Sequence, residues 1–264
     1  MMLDMGFQKD LNTILSLLPQ EQRNTLLFSA TVTQSIQQVA SETFSQPYKY
    51  IDCVPRNEVD THMKIRQSYV IVRFKEQLYM LVDMITKHKK SNPLAKIIVF
   101  LPTTFNAEFC AHVLNNMPEL QTLLIHSKLT QQQRTQISKK FRACRSGILV
   151  TTDISARGVD YPNVSLVVQL GMPSNREQYI HRIGRTGRAD KEGQGILILS
   201  PYEANYLKCL GGVPIRQELR YDSSFNAQEK AIALAIENSV KSIDRKIKTQ
   251  ACLSFLSFRT CILY

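Results

Sequence analysis

Three arginines, Arg182, Arg185 and Arg188, stand at every third position of the stretch Tyr179-Ile180-His181-Arg182-Ile183-Gly184-Arg185-Thr186-Gly187-Arg188. In a helical turn such spacing brings side chains close to one face. Gly184 and Gly187 share the period, although a glycine inside a helix costs roughly 1 kcal/mol relative to alanine. A face thinned by glycine lets another backbone or a ligand come near. Guanidinium groups keep their charge at any physiological pH and meet phosphate oxygens in pairs of hydrogen bonds. The stretch therefore reads as a phosphate clamp, able to stabilise charge on a phosphoryl group in transfer. The plainer alternative is a solvated basic helix, which has no use for paired glycines.

A clamp needs a scaffold, and from about 66 to 222 the chain alternates strand and helix patterns. Arg66 to Val72 alternates and closes in an apolar run, and Leu78, Leu81, Val82 and Ile85 form a helical face. Ile97-Ile98-Val99-Phe100 is apolar throughout, as a strand covered on both sides must be. Phe105, Phe109, Val113 and Leu114 mark a helix, Leu123-Leu124-Ile125 a strand, and Gln131 to Phe141 another helix. Ile148-Leu149-Val150, Leu166-Val167-Val168 and Ile196-Leu197-Ile198-Leu199 complete five or six expected strands. That order implies a parallel α/β sheet with helices on both faces, whose ligands gather at the carboxyl ends of the strands. Polar residues follow several strands: Pro102-Thr103-Thr104, His126-Ser127 leading into Gln131-Gln132-Gln133-Arg134, and Thr151-Thr152-Asp153 with Ala156-Arg157-Gly158-Val159-Asp160. Singly, each has an ordinary alternative, since Thr103 could cap a helix and Arg134 could lie solvated.

The flanks read differently. Residues 1 to about 54 suggest helix–strand–helix–strand, with Leu11, Ile14, Leu15 and Leu18 on a helix ended by Pro19. Strands are expected at Thr25-Leu26-Leu27-Phe28 and from Tyr48 to Val54, with Ile36, Val39 and Ala40 on the helix between. This is half an α/β domain, too little to cover both faces of a parallel sheet. Pro55 to Lys64 is polar and aperiodic, as a linker is. Beyond 223, Ala231, Leu234, Ala235, Val240 and Ile243 give a helix; Lys241 to Lys248 is basic, either a solvated face or a surface along a polyanion. Leu253 to Tyr264 carries one charge, Arg259, and matches no pattern.

Composition narrows the partners. Among 264 residues, 44% hydrophobic and with net charge +11, no run of about 18 apolar residues suggests a membrane span. The charge favours a polyanion, nucleic acid ahead of a membrane surface. Six scattered cysteines without a Cys-x-x-Cys speak against zinc and against a disulfide framework, and for a reducing, intracellular compartment.

His-Arg-x-Gly-Arg-x-Gly-Arg resembles motif VI of superfamily 2 helicases, in the form found in DEAD-box RNA helicases. Other segments resemble that family in the same order. Leu3-Asp4-Met5-Gly6-Phe7 looks like the stretch that follows its Asp-Glu-Ala-Asp, and Ser29-Ala30-Thr31 looks like motif III. Thr103 stands in motif IV, Arg134 in the Gln-x-x-Arg element and Asp160 in motif V. The resemblance covers roughly residues 2 to 250. It implies the end of a first RecA-like domain at 1–54, a linker at 55–65, a second RecA-like domain at 66–222 and a helical extension at 223–264. That extension is similar to those of organellar and fungal RNA chaperones of the family, which admits a mitochondrial address beside a cytoplasmic or nuclear one.

Carried over residue by residue, the resemblance implies that Arg185 and Arg188 are arginine fingers and that His181 reaches toward Ser29 and Thr31, which couple the domains. Gly158 and Asp160 would contact the nucleotide. Thr103, Ser127, Arg134 and Thr152 would hold the RNA sugar-phosphate backbone without reading bases, a task suited to hydroxyls and single arginines. Ser127 stands where many relatives have glycine. The implied ligands are ATP and Mg2+, bound mainly by residues outside this sequence, which contains neither Gly-x-x-x-x-Gly-Lys-[Ser/Thr] nor Asp-Glu-Ala-Asp. No metal ligand is assigned within it. The chain is thus expected to begin partway through the first domain and to be inactive alone. The whole protein is expected to couple ATP hydrolysis to local RNA strand separation. A non-catalytic RNA-binding fragment is the alternative. A DNA helicase or remodelling motor of the same superfamily is a further one, against which the pairing of Ser-Ala-Thr with His-Arg-Ile-Gly-Arg-Thr-Gly-Arg argues.

Overall fold

Strand alternation sorts the apolar residues of this chain into two cores, one on each face of a sheet. The computed structural model describes residues 8–19, 24–28, 37, 40, 41, 43, 44, 48–51, 65–153, 160–188, 192–218 and 227–263. The chain divides into two units, Met1–Glu58 and Val59–Tyr264. In the second, seven strands pair in the order β3-β4-β2-β5-β6-β1-β7, every pairing parallel. They are β1 (Arg66–Ile71), β2 (Lys96–Phe100), β3 (Thr122–Ile125), β4 (Gly147–Thr151), β5 (Val164–Leu170), β6 (Gln194–Leu199) and β7 (Ile215–Gln217).

Odd and even residues of the central strands part company. Ile97 and Val99 of β2, Ile148 and Val150 of β4, and Leu166 and Val168 of β5 join one core; Ile98, Phe100, Leu149 and Val167 join the other. The period of two does this, and it explains why β2 is buried along its whole length. The first core is closed by α2 (Gln77–Ser91) and α3 (Thr104–Asn115), through residues such as Leu81, Ile85 and Leu114. The second is closed by Phe141 of α4 (Gln131–Ala143), Tyr179 and Ile183 of α5 (Arg176–Ile183), and Tyr206 in the 3-10 segment Pro201–Leu210. Each such wholly buried side chain contributes about 1.5–3 kcal/mol relative to exposure.

Two helices follow the sheet, α6 (Ala227–Ser242) and α7 (Arg245–Leu263). On α6 the expected inward face is displaced: Leu234 is exposed, whereas Ile232 and Ile236 pack on the first core and Ile243 just beyond is buried. The stretch without a recognisable pattern, 253 to 263, is helical throughout. Its Phe258 reaches the second core. The short edge strand β7, three residues long, has too few positions to show an alternation and escapes sequence reading.

The first unit has its expected helix, α1 (Gln8–Ser16), stopping before Pro19. The expected strands are absent at the described positions 24–28 and 48–51, which lie in no ladder. Leu26, Phe28, Tyr50 and Ile51 are exposed there, and Ala40 is the one buried hydrophobic residue among the unit's described residues. A strand exists only within a ladder, and these described residues carry no strand assignment. The linker positions 55–64 and Ile36 and Val39 lie outside the described residues.

Candidate functional site

The arginine repeat does not form one face. Helix α5 starts at Asn175, whose side chain accepts from the Gln178 amide at 2.8 Å, and it ends at Ile183 with Gly184 as its C-cap. Arg182 therefore lies in the last helical turn, and Arg185 and Arg188 lie past it. Helical side chains point back toward the helix N-terminus, and Arg182 follows that rule into the core. It is fully buried, donates from Nε to Asp153 Oδ1 at 2.6 Å, approaches Gln169 Oε1 at 3.5 Å and lies over the Phe100 ring. Breaking a buried pair of this kind costs about 3–5 kcal/mol. Arg182 is an internal tie between α5 and the end of β4, a role that sequence spacing alone did not separate from its neighbours.

Past the helix, the two remaining arginines fold back on it. Arg185 Nε donates to the His181 carbonyl at 3.3 Å, and Arg188 Nε donates to the Gly184 carbonyl at 2.8 Å. Both bonds run four residues back and satisfy carbonyls that a helix end leaves open. Burial, and then the like charge of Arg188, push the Arg185 pKa down to about 10, with Asp160 and Tyr161 opposing. The group remains cationic at neutral pH. Arg188 Nη1 makes an ion pair with Asp160 Oδ1. His181 Nδ1 lies 3.4 Å from Gln178 Oε1.

Glycine does serve close approach here, but toward a backbone. Gly187 has φ of 65°, and a Cβ at Gly193 would sit 2.4 Å from the Gly187 amide nitrogen and 2.6 Å from Thr186 Oγ1. Thr186 in turn donates to the carbonyl of Val164, the first residue of β5, at 2.5 Å. Gly193 went unremarked in the sequence, where the Gly-x-Gly entering β6 was the available signal. These contacts put the turn at the amino ends of β5 and β6, as does Arg142, near the end of α4, which donates twice to the Asp160 carbonyl. Arg185, Arg188 and Asp160 therefore gather at the end of the sheet opposite the one that parallel topology suggested.

The carboxyl ends hold the other set. Adjacent strands β3, β4 and β2 end next to His126-Ser127, Thr152-Asp153 and Thr103-Thr104 respectively. Ser127 Oγ lies 3.1 Å from Thr104 Oγ1, and Thr152 is nearly buried. Arg134 stands one turn into α4, whose capping box joins Thr130 and Gln133, and its Nε is buried without a hydrogen-bond partner. Thr103 is the N-cap of α3, accepting from the Asn106 amide at 3.2 Å, and it pairs with Ser254 Oγ of α7 at 2.9 Å. Asn106 also donates to the Ala251 carbonyl at 3.0 Å. The hydroxyl expected to meet RNA is thus already engaged by the protein on two sides.

Gly158, Ser29 and Thr31 lie outside the described residues. Among the described residues no group of three His, Cys, Asp or Glu side chains could hold a metal, and the two carboxylates near the arginines, Asp153 and Asp160, are each paired with one. The described donor set fits a phosphate and does not fit Mg2+. No helix among the described residues is long and apolar enough to cross a membrane.

Residues 76–190 match the family model of the helicase conserved C-terminal domain. The chain is 42% identical over 214 residues to DEAD-box ATP-dependent RNA helicase 25 of Arabidopsis thaliana, covering 81% of this chain and 38% of that protein. Among solved structures, the second DEAD-box helicase domain of Mss116p bound to an RNA duplex is 35% identical with a TM-score of 0.66, over 75% of this chain and 78% of that one. A longer Mss116p bound to single-stranded RNA and AMP-PNP is 33% identical with a TM-score of 0.83, over 99% of this chain and 53% of that one. The chain spans between 29% and 47% of the length of the curated plant relatives it matches.

Proposed function

This chain belongs to the DEAD-box ATP-dependent RNA helicases, and from that premise we propose that it supplies the second RecA-like half of an ATP-driven RNA strand-separating motor. The observation that carries the reading is the arginine turn. Two guanidinium groups, fixed by Nε bonds to a helix end, face an acidic residue at the rim of the sheet. Fixed cations that meet charge as it develops on a phosphoryl group cost no reorganisation during reaction. In the proposed cycle Arg185 and Arg188 contact the phosphates of ATP, and Asp160 turns from Arg188 to the nucleotide. Arg134, Ser127 and Thr152 hold the RNA backbone at the opposite strand ends; Mss116p, similar in fold, is known in RNA-bound structures. ATP and Mg2+ are bound chiefly by a P-loop and acidic pair outside these 264 residues.

A binding role without catalysis is the second reading, favoured by the lack of any Gly-x-x-x-x-Gly-Lys-[Ser/Thr] in the sequence. One experiment separates the two. The chain is assayed for RNA-stimulated phosphate release alone and joined to a P-loop-bearing first RecA-like domain. The motor reading expects no turnover alone and turnover in the joined protein that Arg188→Ala abolishes. Turnover indifferent to Arg188→Ala would refute it. RNA affinity, read by fluorescence anisotropy, is expected to fall steeply with salt and to ignore sequence.

A further inference from the structure

Asp160 is exposed and its carboxylate is exchangeable, so something else must hold its place when Arg188 turns to a phosphate. We infer that Arg142 is a positioning residue of the nucleotide site, fixing the backbone of Asp160 so that its carboxylate can change partner without the chain moving. The inference rests on the reading of Asp160 as a nucleotide contact given above.

Arg142 is the penultimate residue of α4. Its Nε and Nη2 donate to the same carbonyl, that of Asp160, at 3.1 and 2.8 Å. Two donors on one oxygen fix direction as well as distance, which a single ammonium does not. Arg142 is itself anchored from below. Its own carbonyl accepts from Lys96 Nζ at 3.1 Å, and Lys96, at the start of the inner strand β2, is 2% exposed. That ammonium lies 4.9 Å from the centroid of Phe141, whose ring meets Tyr161 edge-on at 5.1 Å between centroids. Phe141 and Tyr161 are buried neighbours in sequence of Arg142 and Asp160. The segment around Asp160 is therefore held at two consecutive residues, by a carbonyl clamp at 160 and by an aromatic contact at 161. The Asp160 side chain faces Arg188.

This division of labour has a chemical purpose. A carboxylate that carried both jobs, holding its own loop and meeting the ligand, would have to release the loop on binding. With the carbonyl clamped by a guanidinium from α4, the exchange of Arg188 for a nucleotide hydroxyl moves only one side-chain torsion. Less conformational freedom is then lost when ligand binds. Arg142 is solvent-exposed, so its bonds are screened and the effect is bounded to a few-fold.

The test uses the full chain joined to a P-loop-bearing first RecA-like domain, and the unliganded 264-residue chain beside it. Arg142→Ala is expected to raise the KM for ATP roughly three- to tenfold, the weight of a charge-assisted hydrogen bond felt through its neighbour. The kcat should change less than KM, the melting temperature should hold, and Arg142→Lys should fall between. Asp160→Ala should raise KM at least as much, and the double variant no further, because the two act as one unit. In the unliganded chain, Arg142→Lys should shift the Nε NMR signal of Arg188 through the displaced Asp160. KM unchanged in Arg142→Ala and Arg142→Lys while Asp160→Ala raises it would overturn the positioning role and leave the nucleotide site standing. KM unchanged in Asp160→Ala would remove the nucleotide reading and this inference with it. A fall in melting temperature with KM intact would reduce Arg142 to a structural tether.

Discussion

Gly193→Ala probes the arginine turn without touching an arginine. An added Cβ would lie 2.4 Å from the Gly187 nitrogen and 2.8 Å from its Cα, atoms of a backbone that cannot rotate away. Ordinary contact begins near 3.4 Å, so the two backbones must part by about 1 Å. Overpacking of this kind costs about 1–3 kcal/mol, and in a domain of this size each kcal/mol lowers Tm by about 2–4 °C. The functional loss should exceed the stability loss. Gly187 lies between Arg185 and Arg188, and misplacing a catalytic group by about 1 Å can cost on the order of 10²-fold in rate. Two controls separate the effects. Gly195→Ala would press on Ile183 Cδ1, the tip of a side chain, and Gly211→Ala would meet nothing nearer than 3.8 Å. Thermal melts of the chain and ATP turnover of the joined protein are the readouts. A Gly193→Ala variant that melts and turns over like Gly211→Ala would show that the backbones do not pass as described.

Arg185→Lys should lower ATP turnover of the joined protein by orders of magnitude, within the 10³–10⁵ that arginine fingers contribute, while RNA anisotropy stays near wild type. Lysine has one donor atom to serve both the His181 carbonyl and a phosphate, and the burial that depresses Arg185 acts on a group with a lower starting pKa. Wild-type turnover would make Arg185 a surface residue. Thr103→Ala should cost about 1–2 kcal/mol from the lost cap and the lost Ser254 contact, whereas Thr103→Ser should cost little. Equal denaturation midpoints for the two would show that the cap carries nothing. Burial depresses the pKa of both His88 and His126. The unfolded chain therefore takes up protons that the folded chain refuses, and stability should fall as pH drops below about 6.5 toward the folded values. His126→Gln should flatten that slope in urea titrations across pH; an unchanged slope would place the acid sensitivity elsewhere.

The sheet was legible where burial on both faces leaves a long apolar run, as in Ile97-Ile98-Val99-Phe100. It was not legible in Ile215-Arg216-Gln217, where an edge strand alternates over too few residues. Helix α6 was found but turned, because Leu234 and Ile236 are equally apolar and only the packed neighbour decides which points inward. The strand expected at Thr25 to Phe28 rested on apolar character alone, and ladder partners are a property of the rest of the chain. Motif order singles out Arg185, Arg188 and Asp160 as candidates, but the carboxyl-end rule of a parallel sheet does not describe the amino ends where they lie. The rule of carboxyl ends describes residues in the loop that leaves a strand. A short helix such as α5 carries whatever follows it back along the sheet, so the turn after Ile183 surfaces at the amino ends.

That return also explains why one period of three gives its arginines two different fates. Within a helix, the side chain of Arg182 leans toward the N-terminus and so toward Phe100 and Asp153. One residue past Ile183 the helix has stopped, and the Arg185 and Thr186 amides turn to the Arg182 and Ile183 carbonyls, three residues back. Arg185 and Arg188 donate through Nε to the carbonyls four residues back, those of His181 and Gly184, and their charge suits the negative end of the helix. Once Nε is engaged, the outer edge of the guanidinium is the edge turned to an anion, and in Arg188 that anion is Asp160. The same spacing that would make a stripe on a longer helix here makes one buried tie and two guanidinium groups held at the helix end. Gly184 is the C-cap at which the helix ends, and the division falls there.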